Sequence, residues 1–132
     1  MKGYVSNIEQ ETLANENFRK VLYTAPHSQL VLMSLLPGEE IGEEVHHLDQ
    51  FFRIESGEGK VVIDGVETLV ADGSAIVIPE GAKHNVINIS ADKALKLYTI
   101  YSPAEHKDGV IHITKQEALD DATDEFDGKT SE

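Results

Sequence analysis

The sequence predicts an all-β protein, an antiparallel barrel or double-sheet jelly roll. Short apolar runs rich in β-branched residues recur along the chain, and Pro37-Gly38, Asp64-Gly65 and Asp72-Gly73 punctuate them as turns. Runs of strand length with no intervening helical period exclude alternating β-α units. A length of 132 residues fits one domain, enough to bury a core without disulfides.

In chain order, Ser6-Asn-Ile-Glu9 reads as a capping box and predicts a short helix through about Asn15, which makes 1–16 an N-terminal segment. Phe18 to Tyr23 and Gln29 to Leu36 read as strands ending at Pro37-Gly38. The stretch from Gly38 is expected to run extended, turn near His47 to Asp49 and return through Gln50 to Ile54 as a hairpin. Gly57-Glu-Gly59 turns the chain into Lys60 to Ile63, and Asp64-Gly65 closes a hairpin with Val66 to Val70. Ala75 to Ile78, His84 to Ile89 and Leu95 to Tyr101 complete a barrel placed at 17–113. Thr114-Lys-Gln-Glu117 opens a last helix, and the acidic stretch after it, within 114–132, is expected to be mobile. Val61, Ile63, Ile76, Ile78, Val86, Leu95 and Leu97 are the expected core.

Chemistry concentrates in two glycine-framed segments. In an extended stretch Glu44 and His46, two residues apart, share a face, and Gln50, Phe52 and Ile54 share one on the return. The second segment runs from Gly73 through Pro79, Gly81 and His84 to Asn88 and supplies another inward histidine. Glu44, His46, Gln50 and His84 are therefore candidate ligands for one metal ion, or else a polar network at a barrel mouth without metal. His47 replaces Gln50 if the turn has already begun at that point. Phe52, Thr99 and Tyr101 are candidate walls of a small-molecule pocket. His27, His106 and His112 read as surface or packing residues, with approach to a cavity mouth left open for His106 and His112, which flank the Lys107-Asp108-Gly109 turn.

These segments resemble the two motifs of the cupins, G-x5-H-x-H-x3-E-x6-G and G-x5-P-x-G-x2-H-x3-N. The second matches at Gly73, Pro79, Gly81, His84 and Asn88, and the first in spacing at Gly38, His46 and Gly57. Glu44 stands where the family has its first histidine and Gln50 where it has its glutamate. The resemblance implies a double-stranded β-helix and a divalent transition metal. A shell of two imidazoles, a carboxylate and an amide suits Mn, Fe, Co, Ni or Zn and disfavours Cu(I). It also implies a homodimer, for which outward Phe51 and Tyr98 would suit an interface.

Catalytic residues are not assigned. Sugar-phosphate isomerases and dioxygenases both occur among such proteins, and a non-catalytic metabolite-binding module is the alternative. No acid–base partner beyond the ligand set stands out. A formal charge of −13 argues against nucleic acid and against anionic membrane surfaces. There is no cysteine, no glycine loop before a helix for a nucleotide cofactor, and no strand-to-helix nucleophile elbow. With neither a secretory signal nor a membrane-length apolar run, a cytoplasmic location is expected.

Overall fold

The computed structural model describes residues 1–132. Nine strands and two short helices follow one another as α1 (Ile8–Ala14), β1 (Arg19–Thr24), β2 (Gln29–Leu35), β3 (Asp49–Ser56), β4 (Glu58–Ile63), β5 (Val66–Ala71), β6 (Ala75–Ile78), β7 (His84–Asn88), β8 (Leu95–Ser102), β9 (Ile111–His112) and α2 (Lys115–Asp120). A six-stranded sheet of order β6-β3-β8-β2-β1-β9 faces a three-stranded sheet of order β5-β4-β7, and every pairing is antiparallel. This is the all-β jelly roll that the strand and turn pattern predicts.

Alternation builds the core. On β8, Leu95, Leu97, Thr99 and Tyr101 are buried, and Lys96, Tyr98 and Ile100 between them are only half-buried. Their cross-strand partners on β3 are Ile54 for Leu97, Phe52 for Thr99 and Gln50 for Tyr101, so one inward face runs from apolar at one end to polar at the other. Val61 and Val86 from the smaller sheet meet Met33, Phe52, Ile54 and Leu97 in one apolar cluster. Of the expected core only Ile63 is half-buried, at the end of β4. Asn88 is fully buried, and its amide donates to the carbonyls of Leu35, Leu36 and Lys93, which ties β7 to the ends of β2 and β8.

The structure corrects four local expectations. The cap of α1 is Asn7, whose Oδ1 accepts from the Gln10 amide at 3.1 Å, rather than Ser6. Residues after Gly38 form no hairpin with β3; they join β7 through isolated bridges of Glu40 with Ile87 and Glu44 with His84. Phe51 and Tyr98 do face outward, yet they are half-buried and lie 6.1 Å apart, ring to ring. The acidic C-terminal stretch is hydrogen-bonded along its length. Phe126 N–H donates to the Glu105 carbonyl and Ser131 N–H to that of Thr24, while Glu132 accepts from the Lys2 and Gly3 amides. At α2 the capping box holds with one change: Thr114 Oγ1 accepts from Glu117 N–H, and the Glu117 carboxylate reaches back to the Ile113 amide.

Candidate metal centre

Glu44 and His84 are brought together by their backbones. The Glu44 N–H donates to the His84 carbonyl and the His84 N–H to the Glu44 carbonyl, both at 2.9 Å, an antiparallel pair whose side chains emerge side by side. His46 is fixed two residues on, where its carbonyl accepts from Gly81 N–H at 3.0 Å. Gly81, with φ +87°, occupies the left-handed region and lets the Pro79-Glu-Gly turn approach. As a result one ligand atom each from Glu44, His46 and His84 falls within 4.8 Å of the others, and the two imidazole centroids are 5.1 Å apart.

The tautomers follow from the second contact that each ring makes. His84 Nδ1 donates to the Ala82 carbonyl at 2.9 Å, leaving Nε2 to face the cluster. His46 Nδ1 lies 3.2 Å from Gln50 Oε1, while its Nε2 is 2.5 Å from Glu44 Oε2. Gln50 Nε2 in turn donates to Thr99 Oγ1 at 2.9 Å. Burial pushes the His46 pKa down, but the hydrogen bond and charge of Glu44 outweigh it and hold it above its ordinary value. Glu44 shows the converse, with burial raising its pKa and His46 bringing it below the usual carboxylate range.

Two buried imidazoles with their Nδ1 atoms anchored, and one carboxylate beside them, fit a divalent transition metal. A cavity of about 10 Å³ adjoins them, lined by Ile41, Glu44, Gln50, Phe52, His84 and Tyr101 among others. That is room for about one water-sized group. An open groove of about 390 Å³ on the outside, between Glu40, Glu43, Asp64 and Lys83, shares His84 and Asn85 with the cavity.

The model of the family described as Cupin domain matches residues 31–101, which span most of the barrel and all four expected ligands. The chain is a cupin. The uncharacterized protein YrkC of Bacillus subtilis (strain 168) is 46% identical over 125 residues, covering 89% of this chain and 67% of that protein. The uncharacterized protein L612 of Acanthamoeba polyphaga mimivirus is 45% identical over 120 residues, covering 87% of this chain and 74% of L612. The crystal structure of BH2720 from Bacillus halodurans superposes with a TM-score of 0.86 at 45% identity, covering 89% of this chain and 94% of that one. An RmlC-like cupin from Shewanella frigidimarina, at 23% identity, a TM-score of 0.61 and coverage of 65% and 75%, shares the fold.

In this cupin the expected site residues divide by position. Glu44, His46 and His84 converge, and Gln50 stands behind His46 with both ends of its amide engaged. The chain already bends at His47 and Leu48, yet His47 is exposed and takes no part in the cluster. Phe52 and Tyr101 line the cavity, while Thr99 lies fully buried beneath Gln50.

Sequence reasoning missed a second layer. His106 takes the packing role of the two expected for it, buried with Nδ1 2.7 Å from Asp124 Oδ2 and Nε2 3.2 Å from the Tyr101 hydroxyl. The Tyr101 ring packs edge-on against both His46, at 5.8 Å, and His106, at 5.1 Å. Burial pushes the His106 pKa below its ordinary value despite Asp124, so the neutral ring accepts from Tyr101, and burial likewise holds the phenol protonated. Glu105 is half-buried, and burial raises its carboxyl pKa against the opposing charge of His46. His112 is also buried, with Nε2 donating to Asp121 at 3.0 Å. The alternation changes phase here, since Ser102 and Pro103 are exposed between buried Tyr101 and buried Ala104 and His106, so extrapolating the inward face of β8 does not reach His106.

Proposed function

We propose that Glu44, His46 and His84 hold a divalent transition metal (Mn, Fe, Co, Ni or Zn) and that the site acts on, or recognises, a small polar metabolite. The observation that carries this reading is the convergence of the three ligand atoms within 4.8 Å, with each histidine turned by a hydrogen bond on its other nitrogen. Two histidines and one carboxylate form a facial set that leaves coordination positions free, and such a metal supplies Lewis acidity or oxygen chemistry when bound. Gln50 orients His46 through Nδ1 in this reading, instead of completing the shell as a fourth ligand.

The protein's own groups would then do the rest. Phe52 and the Tyr101 ring exclude water from the cavity wall. Glu105, and His106 acting through the Tyr101 hydroxyl, are the candidates for holding a proton that the ligand set by itself lacks. The cavity has room for about one water-sized group, which disfavours a hexose phosphate, since sites for larger molecules run to about 300–1,000 Å³. The same narrowness favours, as the second reading, a binding module without turnover. A homodimer through the outer face of the larger sheet, where Val77 is exposed beside half-buried Phe51 and Ile100, belongs to the proposal.

Elemental mass spectrometry on tag-free protein tests the metal. Near-stoichiometric metal is expected in wild type and none in a His46→Ala/His84→Ala variant. Wild type left empty after reconstitution with each of the five metals would end the metalloprotein reading.

A further inference from the structure

The chain has no tryptophan and no cysteine, so its four tyrosines are the side chains that a one-electron oxidant attacks most readily. Tyr101 is the buried one of the four. Two of the tyrosine hydroxyls meet a base within the protein: that of Tyr23 lies 2.8 Å from the Glu132 carboxylate at the surface, and that of Tyr101 lies 3.2 Å from His106 Nε2 inside. Only the second pair touches the candidate metal centre. The Tyr101 ring meets His46 edge-on at 5.8 Å, so a single ring contact separates the phenol from a proposed ligand.

The base beside that phenol is fixed on both sides. Fully buried Gln29 accepts from the Glu105 and His106 amides through Oε1 and donates to the His106 carbonyl at 2.7 Å through Nε2. Asp124 Oδ2 stands 2.7 Å from His106 Nδ1, which keeps the proton on that nitrogen and leaves Nε2 free to accept from the phenol. A buried phenol that loses an electron must also lose its proton, because the cation left otherwise would be an unpaired buried charge. His106 Nε2 is the base within reach of that proton, and the Asp124 carboxylate beside it stabilises the imidazolium that forms. Arg19, 3.9 Å behind Asp124, opposes the added charge, while Glu44 favours it.

We propose that Tyr101 is a one-electron donor to the metal centre, with His106 as the base that receives its proton. One electron passes from the phenol to a one-electron oxidant generated from peroxide at a bound redox-active metal. The O–H bond breaks as the proton forms an N–H bond at His106 Nε2, leaving a neutral phenoxyl beside an imidazolium paired with Asp124. Reduction of the phenoxyl returns the proton along the same hydrogen bond. The inference rests on the proposed metal and narrows it to an ion with redox chemistry, which zinc lacks.

The test oxidises metal-free wild type with photogenerated ruthenium(III) tris-bipyridine, and iron(II)-loaded wild type with hydrogen peroxide. Frozen samples are read by electron paramagnetic resonance, and by electron–nuclear double resonance in H2O and D2O. Both arms are expected to give a phenoxyl radical with an exchangeable proton coupling from the His106 imidazolium, and Tyr101→Phe is expected to abolish it. His106→Gln keeps an acceptor without a base and should lower the radical yield at least tenfold; if that variant does not fold, the exchangeable coupling in wild type reports the same bond. A wild type that forms no phenoxyl, a signal that survives Tyr101→Phe on Tyr4, Tyr23 or Tyr98, or a Tyr101 radical without the exchangeable coupling overturns the proposal. Failure of the metal reading looks different, since wild type then takes up no iron; the donor role toward a metal falls with it, and the ruthenium arm still decides whether Tyr101 gives up its electron first.

Discussion

Replacing Gln50 by leucine separates an orienting residue from a ligand. Leucine keeps most of the volume beneath the cavity but removes the acceptor for His46 Nδ1 at 3.2 Å and the donor to Thr99 Oγ1 at 2.9 Å. Loss of such an outer partner lowers metal affinity about 10- to 100-fold, which is about 1.4–2.7 kcal/mol. The buried Thr99 hydroxyl and His46 Nδ1, each left unpaired, cost the fold about 1–3 kcal/mol apiece, offset in part by no longer burying an amide. Gln50→Glu keeps an acceptor and makes it anionic, so its affinity should equal or exceed that of wild type. Competition titration of zinc against a chromophoric chelator gives the affinities, and the cobalt(II) spectrum reports the ligand set. The expected order is Gln50→Glu at or above wild type, with Gln50→Leu 10- to 100-fold below and an unchanged cobalt band shape. Affinity of Gln50→Leu within twofold of wild type would refute the orienting role, and an altered band shape would return Gln50 to the metal as a ligand.

Other outcomes follow from the same geometry. At Gly57, φ is +98° and an added Cβ would meet the Ala94 carbonyl oxygen at 2.5 Å, whereas at Gly65, φ +82°, it meets nothing. Gly65→Ala should therefore cost only the left-handed backbone penalty of about 1–2 kcal/mol, and Gly57→Ala that penalty plus about 1–3 kcal/mol for the steric overlap, as read by urea denaturation. Metal must displace the proton that Glu44 holds on His46 Nε2, so zinc affinity should fall up to tenfold per pH unit below the raised His46 pKa. In metal-free protein the sign reverses. The His46–Glu44 pair stabilises the fold between the lowered pKa of Glu44 and the raised pKa of His46, and it is lost as pH falls through the first or rises through the second. The difference in melting temperature between wild type and Glu44→Gln should peak inside that window and vanish outside it; a flat difference contradicts the pairing.

The parts of this molecule that were legible in the sequence are those governed by short-range rules. Strand alternation gave the inward faces of β3 and β8, and Asp64, at φ 45° beside Gly65, makes the hairpin turn that the dipeptide announces. Spacing sufficed to bring Glu44, His46 and His84 to one place, because a two-residue step and a Pro-Gly turn constrain where side chains emerge. What spacing does not contain is the partner of an irregular segment. The stretch from Gly38 to Leu48 has no ladder with β3, and its course is set by single bridges to a strand some 40 positions later in the chain, at Glu44 with His84. The cap of α1 fell one residue from its expected place, since serine and asparagine compete for that role on nearly equal terms.

The acidic C-terminal segment shows why composition alone misled. Nine residues with four acids and one phenylalanine lack the apolar surface to fold by burial, and by that criterion Asp124 to Glu132 would stay solvated. Here order comes from pairing instead. Asp124 is nearly enclosed and caps His106, the Phe126 and Ser131 amides bond to the Glu105 and Thr24 carbonyls, and Glu132 gathers the Tyr23 hydroxyl and two N-terminal amides. None of those partners is close in sequence, so no window along the chain registers them. The consequence reaches the candidate metal centre, because the contacts that hold Asp124 also fix the tautomer of His106, and His106 faces the phenol packed on His46. A carboxylate 18 residues from that histidine thereby belongs to the wall of the site, although in sequence it reads as the start of a solvated tail.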